Sequence, residues 1–117
     1  MSDTATPLTP YLDDAPTREL EDWGPLPEAT GPEMTTSGYT LWKDGDQEIG
    51  IWACTPGPSR WLLETHEFIT VLAGRMTVTV DGGEPLELST GDTAVFPKGW
   101  SGTWDIAETL RKLYVIF

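Results

Sequence analysis

The 117-residue chain carries seven Lys and Arg against 19 Asp and Glu, a net charge of −12, which repels phosphate backbones and anionic membranes and argues against nucleic-acid and membrane partners. A chain this long buries ~65% of the surface its unfolded form exposes, enough for one core without disulfide staples. Cys54 is the single cysteine, which excludes an internal disulfide and any cysteine-rich metal site. The opening MSDTATPLTPYLDD has neither a basic start nor an apolar run. No stretch approaches the ~20 apolar residues of a membrane-spanning helix. The expectation is a cytoplasmic soluble domain.

Residues 1–36 hold six of the ten prolines, Pro7, Pro10, Pro16, Pro25, Pro27 and Pro32. Proline is barred from helix interiors and central strands, so this segment reads as an extended arm ahead of a domain at 37–117. Tyr11, Leu12, Leu20, Trp23 and Leu26 suit docking, either over the domain or onto a second subunit. The stretch PTRELEDW, Pro16 to Trp23, allows one or two helical turns and nothing longer.

From Ser37 onward the pattern is short strands with turn punctuation. Strands are predicted at YTLWK, IGIWAC and EFITVLA, then at RMTVTV, where Met76, Val78 and Val80 alternate with Thr77 and Thr79. Asp81 to Glu84, DGGE, supplies a hairpin turn. Leu86 and Leu88 resume the alternation, STGD turns the chain again, and TAVF and LRKLYVIF close the series. Short strands without an amphipathic helix predict an all-β sandwich or barrel.

Two blocks have a specific spacing. Glu67 is followed by six residues and Gly74; Gly91 is followed by five residues, Pro97, one more residue and Gly99. Together they resemble the two blocks of the cupin superfamily, which implies a jelly-roll barrel. GIWACTPG, FPKGWSGTW and LRKLYVIF are more narrowly similar to the ureidoglycine aminohydrolase-like cupins. Metal-binding cupins use two histidines on one strand, a glutamate shortly after, and a histidine from the second block. By position the resemblance places these at Trp61, Leu63, Glu67 and Gly102. Only Glu67 bears a ligand, whereas a Zn²⁺ or Fe²⁺ site needs three or more. The expectation is no metal and no other cofactor, with an atypical metal cupin as an alternative. His66, the only histidine, falls on the strand face opposite Glu67.

The closing strand then supplies the chemistry. Lys112, Tyr114 and Ile116 share one face; Arg111, Leu113, Val115 and Phe117 share the other, a mostly apolar face suited to the seam between sheets or subunits, with Arg111 at the rim. A barrel interior holds a cation and a phenol only when they are paired or serve a ligand. Glu67 is the natural partner of Lys112, because opposite charges in a dry cavity favour each other's ionised form. The pair is equally readable as structural. Six tryptophans stand out: Trp52, Trp61 and Trp104 are placed at the cavity or its mouth, Trp42 and Trp100 as caps, and Trp23 in the arm. An indole-walled pocket suits a small ligand, and indoles filling a barrel without an ion is the plainer alternative.

The expected site is therefore Glu67, Lys112 and Tyr114 as acid–base groups, with Trp52, Cys54, Trp61, Leu63 and Trp104 contacting an unidentified small molecule. Cys54 reads as an inert buried thiol, since no histidine stands ready to activate it. Two functions fit: proton-transfer chemistry on a small polar metabolite, or metabolite binding without turnover, relayed through a partner. The apolar terminal-strand face and the aromatic arm predict a homodimer.

Overall fold

The structure, a computed structural model, describes residues 10–117; the first nine residues of the expected arm lie outside the described residues. Eight strands follow in order: β1 (Glu21–Pro25), β2 (Thr35–Asp44), β3 (Gln47–Cys54), β4 (Gly57–Leu62), β5 (Glu67–Val80), β6 (Leu86–Ser89), β7 (Thr93–Phe96) and β8 (Ser101–Ile116). Every ladder is antiparallel, and the described residues contain no helix.

The two long strands organise everything else. β5 and β8 pair from Glu67↔Ile116 to Val80↔Gly102. At one end β3 joins β8 over Leu110–Ile116 and β7 joins β5 over Glu67–Thr70. At the other end β4 joins β8 over Ser101–Ile106 and β6 joins β5 over Arg75–Val78. The long pair thus runs through both halves of one eight-stranded sheet and bends between them, where its register shifts around Ala73 and Arg75. Gly74 makes the bend possible. It has φ +86°, and a Cβ there would sit 2.2 Å from the Thr109 carbonyl oxygen.

The strands expected at EFITVLA and RMTVTV are consequently one bent strand. The closing strand begins at Ser101, nine residues before LRKLYVIF. Strands β1 and β4 were not among those expected, and PTRELEDW forms a single turn closed by Arg18 N–H to the Asp14 carbonyl (2.8 Å) before continuing as β1. β1 pairs along β2 at the sheet edge, a place where a strand ending in Pro25 loses no ladder bond.

The core lies inside the bent sheet and includes Ile69, Val71, Met76, Ile106, Leu110 and Trp104. Leu26 and Met34, from the segment before β2, are buried in the same cluster. Alternation fixes which side chains join it: Glu67, Ile69 and Val71 are buried while Phe68 and Thr70 are only half so. On β8 the same rule turns Leu110, Lys112 and Tyr114 inward. Arg111 faces outward, and its guanidinium donates to the carbonyls of Ala15 (3.0 Å) and Arg18 (2.9 Å). Arg111 is therefore mid-strand beneath the N-terminal segment, away from the rim position expected for it. Arg18 also stacks over the Tyr39 ring, 4.5 Å from its centroid.

Candidate functional site

One glycine and one strand register place the inward groups of β3 and β8 side by side. Trp52 faces Lys112 across the β3–β8 ladder, and Gly50 faces Tyr114. Gly50 has no side chain to obstruct the phenol: a Cβ there would lie 2.8 Å from the Tyr114 hydroxyl. The phenol extends across this gap and donates to the carboxylate of Glu48, which Lys43 also approaches at 3.8 Å. From β5, Glu67 reaches Lys112, with Nζ donating to Oε2 at 2.8 Å.

These side chains line one cavity of about 270 Å³ together with Trp23, Trp61, Trp104 and Ile116. Lys112 is 3% exposed and Glu67 8% exposed. The ammonium lies 4.6 Å from the Trp52 ring centroid and 4.3 Å from that of Trp104, so two indole faces and one carboxylate share its charge. Trp61 stacks on Trp104 at 4.5 Å, and Trp52 stands edge-on to both. The Trp61 indole N–H donates to Ser59 Oγ at 2.7 Å, and Ser59 Oγ donates to the Trp104 carbonyl at 3.2 Å. This chain of bonds fixes the stack.

Of the expected site residues, Glu67, Lys112, Tyr114, Trp52, Trp61 and Trp104 converge on this cavity. Cys54 and Leu63 do not line it. Cys54 is packed in the core, 1% exposed. Leu63 lies past the end of β4, tied by backbone bonds to Trp100 and Gly99 and packed against the core from outside. Trp42 and Trp100 do not cap the cavity; Trp100 lines a separate one of about 190 Å³ with Val78, Val80, Phe96 and neighbours. His66 is exposed: its Nδ1 accepts from the Lys98 N–H (3.0 Å) and its ring lies against Phe117. Glu48 and Trp23 line the cavity without having been singled out for it. Glu48 shares the inward face of Trp52 by simple alternation, so it was legible; Trp23, in a proline-rich stretch, gave no such signal.

Environment sets the state of these groups. Burial, reinforced by the Glu48 carboxylate, pushes the Tyr114 phenol well above its ordinary range, so it stays a protonated donor. Burial pushes the Cys54 thiol up to about 11, with the Lys112 charge opposing only in part. The thiol is inert at neutral pH.

The donor set does not fit the divalent ion of metal cupins. The carboxylate of Glu67 is already engaged by the Lys112 ammonium. Trp61 offers an indole without a free lone pair, Leu63 faces away, and Gly102 admits no side chain. A Cβ at 102 would fall 2.2 Å from the Thr79 carbonyl oxygen and 2.7 Å from the Trp100 ring. Among the described residues no three His, Cys, Asp or Glu side chains converge.

Comparison with known proteins follows the fold. The sequence pattern of the EutQ-like cupin domain matches residues 41–114. A protein with unknown function from Pseudomonas syringae superposes with a TM-score of 0.80 at 23% identity, covering 87% of this chain and 46% of that one. This chain thus spans about half the length of that relative. The Clostridium difficile EutQ protein superposes with a TM-score of 0.72 at 20% identity, covering 87% and 82%. At these identities both likenesses show the fold alone. A DUF861 family protein from Thermotoga maritima is 33% identical, with a TM-score of 0.56 and coverage of 57% and 76%. No curated protein matches the chain. An all-β barrel, with the matched pattern running from β2 to Tyr114 on β8, places this chain in the EutQ-like cupin domain family.

Proposed function

We propose that this protein binds a small polar metabolite in the Glu67–Lys112 cavity and transfers protons on it without a metal. The observation that carries this reading is the buried ion pair at the wall of an indole-lined chamber. Two charges taken out of water are costly unless they are well paired, and this pair is kept at a cavity wall beside a phenol, where all three groups are within reach of a bound molecule. Glu67 takes or returns the proton. Lys112 offsets negative charge developing on the substrate, and Tyr114, held as a phenol by burial and Glu48, donates a hydrogen bond to it when its single O–H turns from the Glu48 carboxylate to the substrate. That set suits isomerisation, elimination or hydrolysis. A volume of about 270 Å³ lies below the usual ligand-cavity range of roughly 300–1,000 Å³, which limits the occupant to metabolite size.

One observation favours a second reading, binding without turnover. Lys112 is held by Glu67 and by two indole faces, an arrangement a purely structural pair would share. The finer kinship with ureidoglycine aminohydrolase-like cupins, a cytoplasmic location and a homodimeric state belong to the same proposal.

The experiment is a thermal-shift screen of small polar metabolites, followed by turnover assays on the compounds that bind. Glu67→Gln is expected to keep binding and lose turnover. Binding and turnover unchanged in both Glu67→Gln and Lys112→Met would overturn the site assignment. Binding without turnover in the wild type would select the second reading.

A further inference from the structure

One wall of the cavity comes from a segment that precedes the matched span 41–114. β1 is five residues long, sits at the edge of the sheet and pairs with β2. Its ladder skips a residue: Asp22 faces Ser37 and Gly24 faces Thr36, so Trp23 is the extra, unpaired residue of a bulge. Bulges bend a strand and re-aim a side chain. Three features hold this one. The Asp22 carboxylate accepts the Gly24 N–H at 2.9 Å, Gly24 adopts φ +81°, and Gly38 lies bare beneath the indole, where a Cβ would come within 2.2 Å of the six-membered ring. Arg111, on the outer face of the strand that carries Lys112, grips the carbonyls of Ala15 and Arg18 and so pins the chain entering β1. The indole delivered this way lines the chamber and is itself 39% exposed. It has the Glu67–Lys112 chamber on one side and solvent on the other.

We propose that Trp23 is the access-determining residue of this cavity, an indole door-post that a small polar molecule must pass to reach Glu67 and Lys112. The inference rests on the cavity being the ligand site, as proposed above. The other lining residues stand on β3, β5 and β8, each paired with two or more strands, or, for Trp61, within the unbroken β4–β8 ladder, whereas Trp23 stands on an edge strand at a break in its pairing.

The test uses the full chain, ¹⁵N-labelled, and the neutral nitroxide TEMPOL as the probe of access, read as line broadening of each tryptophan indole N–H. In Trp23→Ala the Trp52 and Trp61 signals are expected to broaden at least twofold more than in the wild type, with Trp42 unchanged. Gly38→Ala, which keeps the indole but denies it its seat, is expected to act in the same direction. Trp23→Phe is expected to lie near the wild type. Broadening of Trp52 and Trp61 that equals the wild type in both Ala variants would overturn the proposal. So would broadening spread equally over Trp42 and Trp100, which reports general loosening. The readout needs no bound metabolite: a clear change in access beside an empty metabolite screen would leave Trp23's role standing and overturn the functional reading instead.

Discussion

Lys112 makes its neighbours interdependent. Its ammonium neutralises Glu67 inside the barrel and fills the space between two indole faces, so removing it strands a buried carboxylate. Lys112→Met is expected to cost about 3–5 kcal/mol in urea unfolding, and adding Glu67→Met is expected to recover most of that, because an apolar pair replaces a broken ionic one. Additive losses in the double variant would show that the two residues are not coupled. Tyr114 gives a second prediction. Its folded pKa lies above the ordinary value of 10.0, so the folded state holds that proton more tightly than the unfolded chain. The resulting stability is fully present below pH 10 and is lost as pH rises beyond it. Urea midpoints measured at pH 8 and pH 11 should therefore fall more steeply for the wild type than for Tyr114→Phe. Equal slopes would remove the phenol from the buried network. Cys54, with its thiol pushed up to about 11, should be silent to Ellman's reagent at pH 8 until the protein is unfolded.

Glycine positions decide how the elements sit, and they explain why some strands were legible in the sequence and others were not. Alternation through Met76 and Val78, and through Lys112 and Tyr114, read correctly because each side of those strands meets a different medium, but it fails at Val80, which ends β5 and is 42% exposed. The long strands were broken too early, since Gly74 looks like an end and serves as a bend. β4 escaped notice because GPSRWL begins with Gly57 and Pro58, and its pairing comes from β8, far away in sequence. Arg60 then anchors that end, bonding both oxygens of Asp81 at 2.5 and 2.6 Å and drawing its carboxyl down to about 2. Gly102 belongs to this scale too. The missing histidine looked like a lost ligand, yet the strand has no room for one. Gly102→His is expected to lower Tm sharply without gaining metal by elemental analysis. A stable variant that retains a stoichiometric ion would contradict this reading of the β4–β8 interface.

For the whole molecule, the sheet folded along β5 and β8 puts the Glu67–Lys112 chamber inside and an apolar row outside. Val95, Phe68, Val115, Ile49 and Trp42 succeed one another across β7, β5, β8, β3 and β2. None is fully buried, and Val95 is 57% exposed. This row gives the proposed homodimer a face. Sedimentation is expected to return twice the chain mass for the wild type and the single mass for Phe68→Lys; a monomeric wild type would contradict the pairing. The chamber was only partly legible in the sequence. The cupin-like spacing pointed to Glu67, the β8 alternation to Lys112 and Tyr114, and the tryptophans of the same blocks to Trp52, Trp61 and Trp104. Cys54 was assigned because it shares the strand face of Trp52, and Leu63 because it falls at a ligand position of metal-binding cupins; packing sends both elsewhere. Trp23 arrives through a bulge that no local pattern announces.

The six tryptophans also report where a ligand goes. The most direct measurement is the ¹⁵N indole spectrum during titration with a metabolite that raises Tm. Occupation of the Glu67–Lys112 chamber predicts movement of the Trp23, Trp52 and Trp61 resonances while Trp42 and Trp100 stay in place. Movement of Trp100 or Trp42 with Trp52 and Trp61 unmoved would place the ligand elsewhere and contradict the assignment.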